Sequence, residues 1–231
     1  SNASTYSISV RVRDEHNSSI DGNFTVNLLD LNEAPFELFS LTTLSVAENQ
    51  PAGSFVGEFN ASDQDANTTL TYELASGAGD TGNVLFSMDA NGSLITATAL
   101  NYELNSSQSI RVRVKDEHDA SVEGIFLVAV TDLNDRPESL LAVRSLNIAE
   151  NQPVGSPVGE FNAVDQDANA TLLYELVNGS GGSDNGLFTL ESNGTLRTAA
   201  TFDFESNAST YSISVRVRDE HNSSIDGNFT V

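Results

Sequence analysis

The sequence predicts an all-β fold, a tandem of seven-stranded sandwiches. Three observations predict it: an internal repeat, a period-two alternation of apolar residues inside each copy, and no stretch with a helical stripe long enough to pack. The repeat length is about 102 residues. Ala47-Glu48-Asn49 recurs as Ala149-Glu150-Asn151, Asp63-Gln64-Asp65 as Asp165-Gln166-Asp167, and Asp30-Leu31-Asn32 as Asp132-Leu133-Asn134. Asn91-Gly92-Ser93-Leu94 returns as Asn193-Gly194-Thr195-Leu196, and residues 1–26 are repeated letter for letter at 206–231. The chain is therefore read as the last strands and linker of one unit (1–34), a complete unit (36–135) and a third that stops at its last strand (138–231). Ser1-Asn2-Ala3 resembles a vector-derived leader, but the same letters recur as Ser206-Asn207-Ala208, so both origins stay open.

In the complete unit, Leu44 with Val46 and then Val56 with Phe59 supply the first strands. Leu70, Tyr72 and Leu74 alternate around an outward Glu73, and Phe86 with Met88 and Leu94 with Thr96 follow. Ile110, Val112 and Val114 alternate with Ser109, Arg111, Arg113 and Lys115, the signature of a strand with one buried face; Phe126, Val128 and Val130 close the unit. The copies repeat the pattern at Tyr6, Ile8, Val10, Val12 and at Tyr211, Ile213, Val215, Val217. Asn-Gly, Pro and Ser/Gly clusters separate the strands. Seven short strands in ~100 residues is the pattern of Greek-key, immunoglobulin-like sandwiches, and a unit of that size buries roughly 65% of its unfolded surface. Neither cysteine nor tryptophan is present to mark a true immunoglobulin domain.

Of the 231 residues, 33 are acidic and 10 basic, for a formal charge of −23. Such a field repels phosphate, so nucleic acid and anionic membranes are poor partners and divalent cations good ones. Without cysteine there is no disulfide framework, thiolate zinc site or thiol nucleophile. No apolar run approaches the ~18 residues of a membrane span, so this piece is expected not to be membrane-inserted.

Scattered acids such as Glu37, Glu58 and Asp80 read as a solvated coat, but the repeated clusters do not. Asp63-Gln64-Asp65 and Asp165-Gln166-Asp167 each put two carboxylates on one side of a strand end, a like-charge pair that costs energy unless a cation shares it. Near each boundary more oxygen ligands converge: Asp132, Asn134 and Asp135 between units, and Asp116 or Asp219 before a turn. Glu48 and Glu103 join them if both lie at the same end of the complete unit. Hard oxygen donors without a His or Cys cluster fit calcium. Other motifs fall away. Gly77-Ala78-Gly79-Asp80-Thr81-Gly82 matches G-x-G-x-x-G but is followed by a turn and not by a helix. Asp63-x-Asp65-x-Asn67 opens like an EF-hand, yet position twelve is Leu74 and not Glu. The histidines occupy one turn position, and a small filled sandwich offers no cleft for a pair of glycosidase carboxylates. Asn-x-Ser/Thr sites follow from composition rich in those residues.

In sum, these residues resemble cadherin repeats over the whole chain. The resemblance rests on the x-Glu-Asn at 47–49 and 149–151, the Asp-x-Asp at 63–65 and 165–167, and Tyr102-Glu103 and Phe204-Glu205. It also rests on the Asp of the Asp-Glu-His turns and on the linkers DLNEAP (30–35) and DLNDRP (132–137). It implies calcium bound between successive repeats, and the ligands carry over by position. One junction is complete: Glu48 and Glu103 from the upper repeat; Asn134, Asp135 and the carbonyls of Leu133 and Arg136 from the linker; Asp165, Asp167, Asp219 and the carbonyl near Asn169 from the lower repeat. A second has only Asn32, Glu33, Asp63, Asp65 and Asp116, and at Glu150, Asp203 and Glu205 the following linker is missing. Asn101 stands where the family's D-x-E has Asp, which removes one charge and implies two ions and not three; Glu33 replaces the usual Asp. Tryptophan-anchored strand exchange does not transfer, because there is no tryptophan.

The function implied is a non-catalytic, calcium-stiffened tandem repeat of a cell-surface or secreted adhesin. The Asn/Thr/Ser-rich composition is expected of a bacterial source. The alternatives are calcium-dependent carbohydrate (polysaccharide) recognition and homophilic recognition of like molecules. Residues 6–29 should also form a hairpin with an exposed apolar face, able to replace the identical strands at 211–231 of another molecule in a head-to-tail exchange.

Overall fold

A computed structural model describes residues 4–231; Ser1, Asn2 and Ala3 lie outside the described residues. The chain divides into two compact units, one of residues 1–46, 50–99 and 107–129 and one of 47–49, 100–106 and 130–231. The strands are β1 Thr5–Arg13, β2 Ser19–Asn27, β3 Phe36–Ser40, β4 Ser45–Ala47, β5 Phe55–Ser62, β6 Thr71–Leu74, β7 Phe86–Met88, β8 Ser93–Thr96, β9 Ser107–Lys115 and β10 Ser121–Thr131. They continue as β11 Glu138–Ala142, β12 Pro157–Val164, β13 Leu173–Leu176, β14 Phe188–Leu190, β15 Thr195–Thr198, β16 Ser212–Arg218 and β17 Ser224–Thr230. Single 3-10 turns at Asn83–Leu85 and Asn185–Leu187 are the helical elements among the described residues.

Two sheets, β3-β5-β8-β7 and β4-β10-β9-β6, form the first sandwich, and β11-β12-β15-β14 with β13-β16-β17 form the second. In the first, only the β7–β8 and β9–β10 connections stay within one sheet, and the other crossings give the Greek-key pattern. The alternation read from β9 holds: Ile110, Val112 and Val114 are each fully buried, as are Ile213, Val215 and Val217 of β16. Phe59 meets Phe126 edge-on with ring centroids 4.8 Å apart, and Phe161 meets Phe229 at 4.7 Å.

Eight strands and not seven lie between residues 36 and 131, because Phe36–Ser40 also pairs with β5. Its alternation is broken by a register shift between Phe36 and Phe39, with Glu37 at φ 54°, so period-two reading passes over it. The Gly77–Gly82 loop closes on itself, the Gly77 N–H donating to Asp80 at 2.9 Å, with a single 3-10 turn after it. All three histidines are exposed on turns.

β1 and β2 pair in register from Thr5↔Asn27 to Arg13↔Ser19 and form a two-stranded sheet. Ile8, Val10 and Val12 are 46%, 42% and 62% exposed, although the same residues in β16 are fully buried. The expected apolar face is present.

Candidate metal centre

Each Asp-x-Asp follows directly on a strand, Asp63 after β5 and Asp165 after β12. The first carboxylate of the pair folds the loop: Asp63 Oδ1 accepts the Asp65 N–H at 2.9 Å and Asp165 Oδ1 that of Asp167 at 3.0 Å. Asn67 and Asn169, two residues on, take the left-handed conformation (φ 67° and 66°) that asparagine tolerates. Asp116 and Asp219, at the ends of β9 and β16, are buried. Asp219 Oδ1 accepts the N–H groups of His221 and Ser223 at 2.8 and 2.9 Å, closing the hairpin turn, and Oδ2 accepts the Asn134 side-chain amide at 2.9 Å. Asp116 does the same with His118, Ala120 and Asn32.

In the second unit the carboxylates gather. Glu48 is completely buried; its two oxygens accept the Tyr102 N–H at 2.8 Å and the Leu133 N–H at 2.9 Å. One oxygen each of Glu48, Glu103 and Asp135 lie within 4.8 Å of one another, and so do oxygens of Glu103, Asp132 and Asp167. The Asp135 N–H donates to Asp167 Oδ2 at 2.9 Å and the Asn49 amide to Asp135 Oδ1 at 2.7 Å. Buried carboxylate oxygens with no donor among the described residues remain on Asp63, Asp135, Asp165 and Asp167. An unpaired buried anion is costly, and oxygens aimed together without donors are what a hard cation requires.

In the first unit, Asn32, Glu33, Asp63, Asp65 and Asp116 also come together. Asn32 reaches Asp116 at 2.8 Å and the Glu33 N–H reaches Asp65 at 3.0 Å. Among the described residues every triad of clustered carboxylates lies in the second unit, the remaining one being the exposed Glu150, Asp203 and Glu205. Asn101 gives a neutral tie instead of a charge, its amide donating to Gln166 at 2.7 Å. Asp132, read from the sequence as an oxygen ligand near the boundary but not carried over by the resemblance, takes part; two participants, Asn49 and Gln166, were not among the expected ligands. The repeated Ala-Glu-Asn triplet was the signal available for Asn49. Leu133 contributes its N–H to Glu48, and Arg136 follows Asp135 on the same segment.

The charges are strained as they stand. Burial pushes the Glu103 carboxyl above its ordinary value, with Glu48 and Asp135 adding repulsion. Burial likewise raises Asp135, against the pull of the Asn49 amide, and Asp165, next to Asp167 and Asp219. Glu33 is raised by a hydrogen bond shared with Asp65. At Asp116 burial is outweighed by the Asn32 amide and the turn N–H groups, so that carboxyl is lowered. Where the folded value of an acid is raised, its protonation stabilises the fold, and stability is lost as pH rises from the ordinary range near ~4 through the raised value. Arginine-paired acids such as Asp226 and Glu123 are lowered and lose stability only below that range. Metal-free protein should therefore lose the contribution of these groups as pH rises from about 4; a calorimetric pH series in which the melting temperature only gains over that rise refutes the assignment of strain.

The family profile described as "Cadherin domain" matches residues 42–131 and 144–231. Human Protocadherin-1 is 30% identical over 223 residues, which is 93% of this chain and 21% of that protein. Mouse Protocadherin Fat 4 is 33% identical over 188 residues, 76% of this chain and 4% of the relative. Among solved structures, human Protocadherin-24 EC1-2 superposes with a TM-score of 0.60 at 26% identity, covering 87% of this chain and 95% of that one. Protocadherin Gamma B2 extracellular cadherin domains 1-5 give 0.66 at 18% identity over 99% of this chain and 45% of that one, a likeness of fold. These relatives include human and mouse proteins and lend no support to a bacterial source. Two matched domains, the sandwich topology and the order of the acidic motifs lead to one assignment: the chain belongs to the cadherin family, whose tandem domains serve adhesion and not catalysis.

Proposed function

We propose that the chain is a calcium-binding stretch of an extracellular adhesion protein, with repeats at 36–135 and 138–231 and residues 4–34 equivalent to the end of a repeat and its linker. The carboxylates of Glu48, Glu103, Asp135, Asp165, Asp167 and Asp219, the Asn134 side chain and the carbonyls of Leu133, Arg136 and Asn169 hold Ca2+ where the two repeats meet. Asn32, Glu33, Asp63, Asp65 and Asp116 form a partial and weaker set. The observation that carries this is the group of buried carboxylate oxygens lacking any donor on Asp135, Asp165 and Asp167. Asp135 lies in a triad with Glu48 and Glu103, and Asp167 in one with Glu103 and Asp132, the ligand atoms of each within 4.8 Å of one another. The donors are all oxygen, which selects a hard cation over zinc or copper. A bound divalent ion supplies the positive charge that this crowding lacks. Glu48 orients the linker through the Leu133 N–H, and Asn134 fastens it to Asp219, so linker and domain residues approach the ion already aligned. Holding groups of both repeats and the linker at once stiffens the array, which suits binding to like molecules on another cell; nothing in the relatives favours the polysaccharide alternative. The test is calorimetric titration with calcium: the wild-type chain should bind with a Kd of ~10⁻⁴–10⁻³ M, and Asp135→Ala should bind at least about tenfold more weakly. Equal isotherms for the two proteins refute the ligand set.

A further inference from the structure

We propose that Asn178 is a self-modification site: the Gly179 nitrogen attacks its side-chain amide, and the residue becomes aspartate or isoaspartate while the protein stays folded. The chain contains four Asn-Gly dipeptides, at 91–92, 178–179, 185–186 and 193–194. Each sets a thermolabile amide beside the least hindered neighbour a chain can offer. The fold treats the four differently. Asn91 and Asn193 sit in hairpin turns whose glycine peptides are fixed on both sides. The Gly92 N–H donates to the Asp89 carbonyl at 3.1 Å and the Gly194 N–H to that of Glu191 at 2.9 Å. The carbonyls of the same two glycines accept the Phe59 and Phe161 N–H groups, each at 2.9 Å. At Asn185 the amide itself is held, Nδ2 donating to the Val177 carbonyl at 2.8 Å and Oδ1 accepting the Ser214 N–H at 3.0 Å.

Asn178 and Gly179 are both exposed, and among the described residues neither the Asn178 amide nor the Gly179 N–H has a hydrogen-bond partner. The space around Gly179 is open: a Cβ built there meets nothing within 4 Å. The corresponding residue of the first repeat is Ser76, followed by the loop that the Gly77 N–H closes on Asp80. In the reaction the Gly179 nitrogen loses its proton and bonds to Asn178 Cγ, the side-chain nitrogen leaves as ammonia, and a succinimide ring remains. Water then adds to one of the two ring carbonyls and opens the ring. One opening gives aspartate; the other routes the backbone through the former side chain and gives isoaspartate. No redox partner is needed, and attacking and attacked atoms belong to adjacent residues, so the first step is intramolecular. Each conversion adds a negative charge. Isoaspartate also lengthens the backbone of a loop whose Ser180 carbonyl accepts the amide of Asn228 on β17 at 3.0 Å.

The site uses none of the proposed cation ligands, so its test does not depend on calcium. Folded protein is held in mildly alkaline buffer, digested and mapped by mass spectrometry, with aspartyl and isoaspartyl peptides separated; a parallel sample is held unfolded in urea. In the folded chain Asn178 should convert at least about tenfold faster than Asn91, Asn185 or Asn193, because those three must first open locally. In urea the four should convert at comparable rates. Gly179→Ala, whose added methyl meets open space, should keep the wild-type melting temperature and slow the conversion by hindering the attacking nitrogen. Asn178 staying intact in folded protein while the urea sample reacts, or any of the other three keeping pace with it, would overturn the proposal. So would the same preference persisting in urea, or a Gly179→Ala chain that converts at the wild-type rate.

Discussion

Excess EDTA is expected to lower the melting temperature of the calcium-loaded chain by about 10 °C or more. The size follows from mass action: at ten times Kd one site stabilises by RT ln 11, ~1.4 kcal/mol. Two carboxylate triads share Glu103, Glu48-Glu103-Asp135 and Glu103-Asp132-Asp167, and two sites give roughly 3 kcal/mol. For domains of ~100 residues each kcal/mol moves the transition by ~4–8 °C. The cation-free state also keeps the burden of Glu103, Asp135 and Asp165, whose charged forms are disfavoured by burial and by one another. Melting curves that coincide in calcium and in EDTA, recorded at pH 7, would show that these oxygens hold no ion.

Glu48→Ala is the substitution with the largest expected cost, roughly 3–5 kcal/mol in calcium, because it strands two backbone N–H groups as well as deleting a charge. The side chain is wholly buried and spans Tyr102 and Leu133 with bonds of 2.8 and 2.9 Å. Glu48→Gln separates the two roles. The amide keeps the volume and an acceptor, so most of the backbone anchoring survives, but the charge is gone. In calcium it should melt below wild type. In EDTA it should melt level with wild type or above it, since a like charge has left the neighbourhood of Glu103 and Asp135. If Glu48→Gln behaves identically with and without calcium, Glu48 is a structural acceptor and nothing more.

Much of the sandwich could be read from the chain because half-buried strands impose a period of two. Ile110, Val112 and Val114 keep that period and all three are buried to completion. β3 could not be read this way, since the turned backbone at Glu37 puts its apolar residues out of phase. At the site, the repeated motifs gave the Asp-x-Asp pairs and the linker acids, the cadherin resemblance added Glu48 and Glu103, and the fold brings these two glutamates to Asp135. What spacing could not give was burial and cross-chain reach. Nothing in the letters distinguishes a wholly enclosed Glu48 from the exposed Glu150 in the same motif, and the Asn49 and Gln166 contacts depend on residues 86 and 65 positions away.

Asp219 and Asp116 divide their two oxygens between separate tasks, one closing a hairpin turn and the other gripping an asparagine from the linker. Each side chain thus ties its own turn to the linker asparagine. Because one carboxylate serves both tasks, replacing either aspartate by alanine is expected to loosen its turn and release its linker asparagine together, as one event.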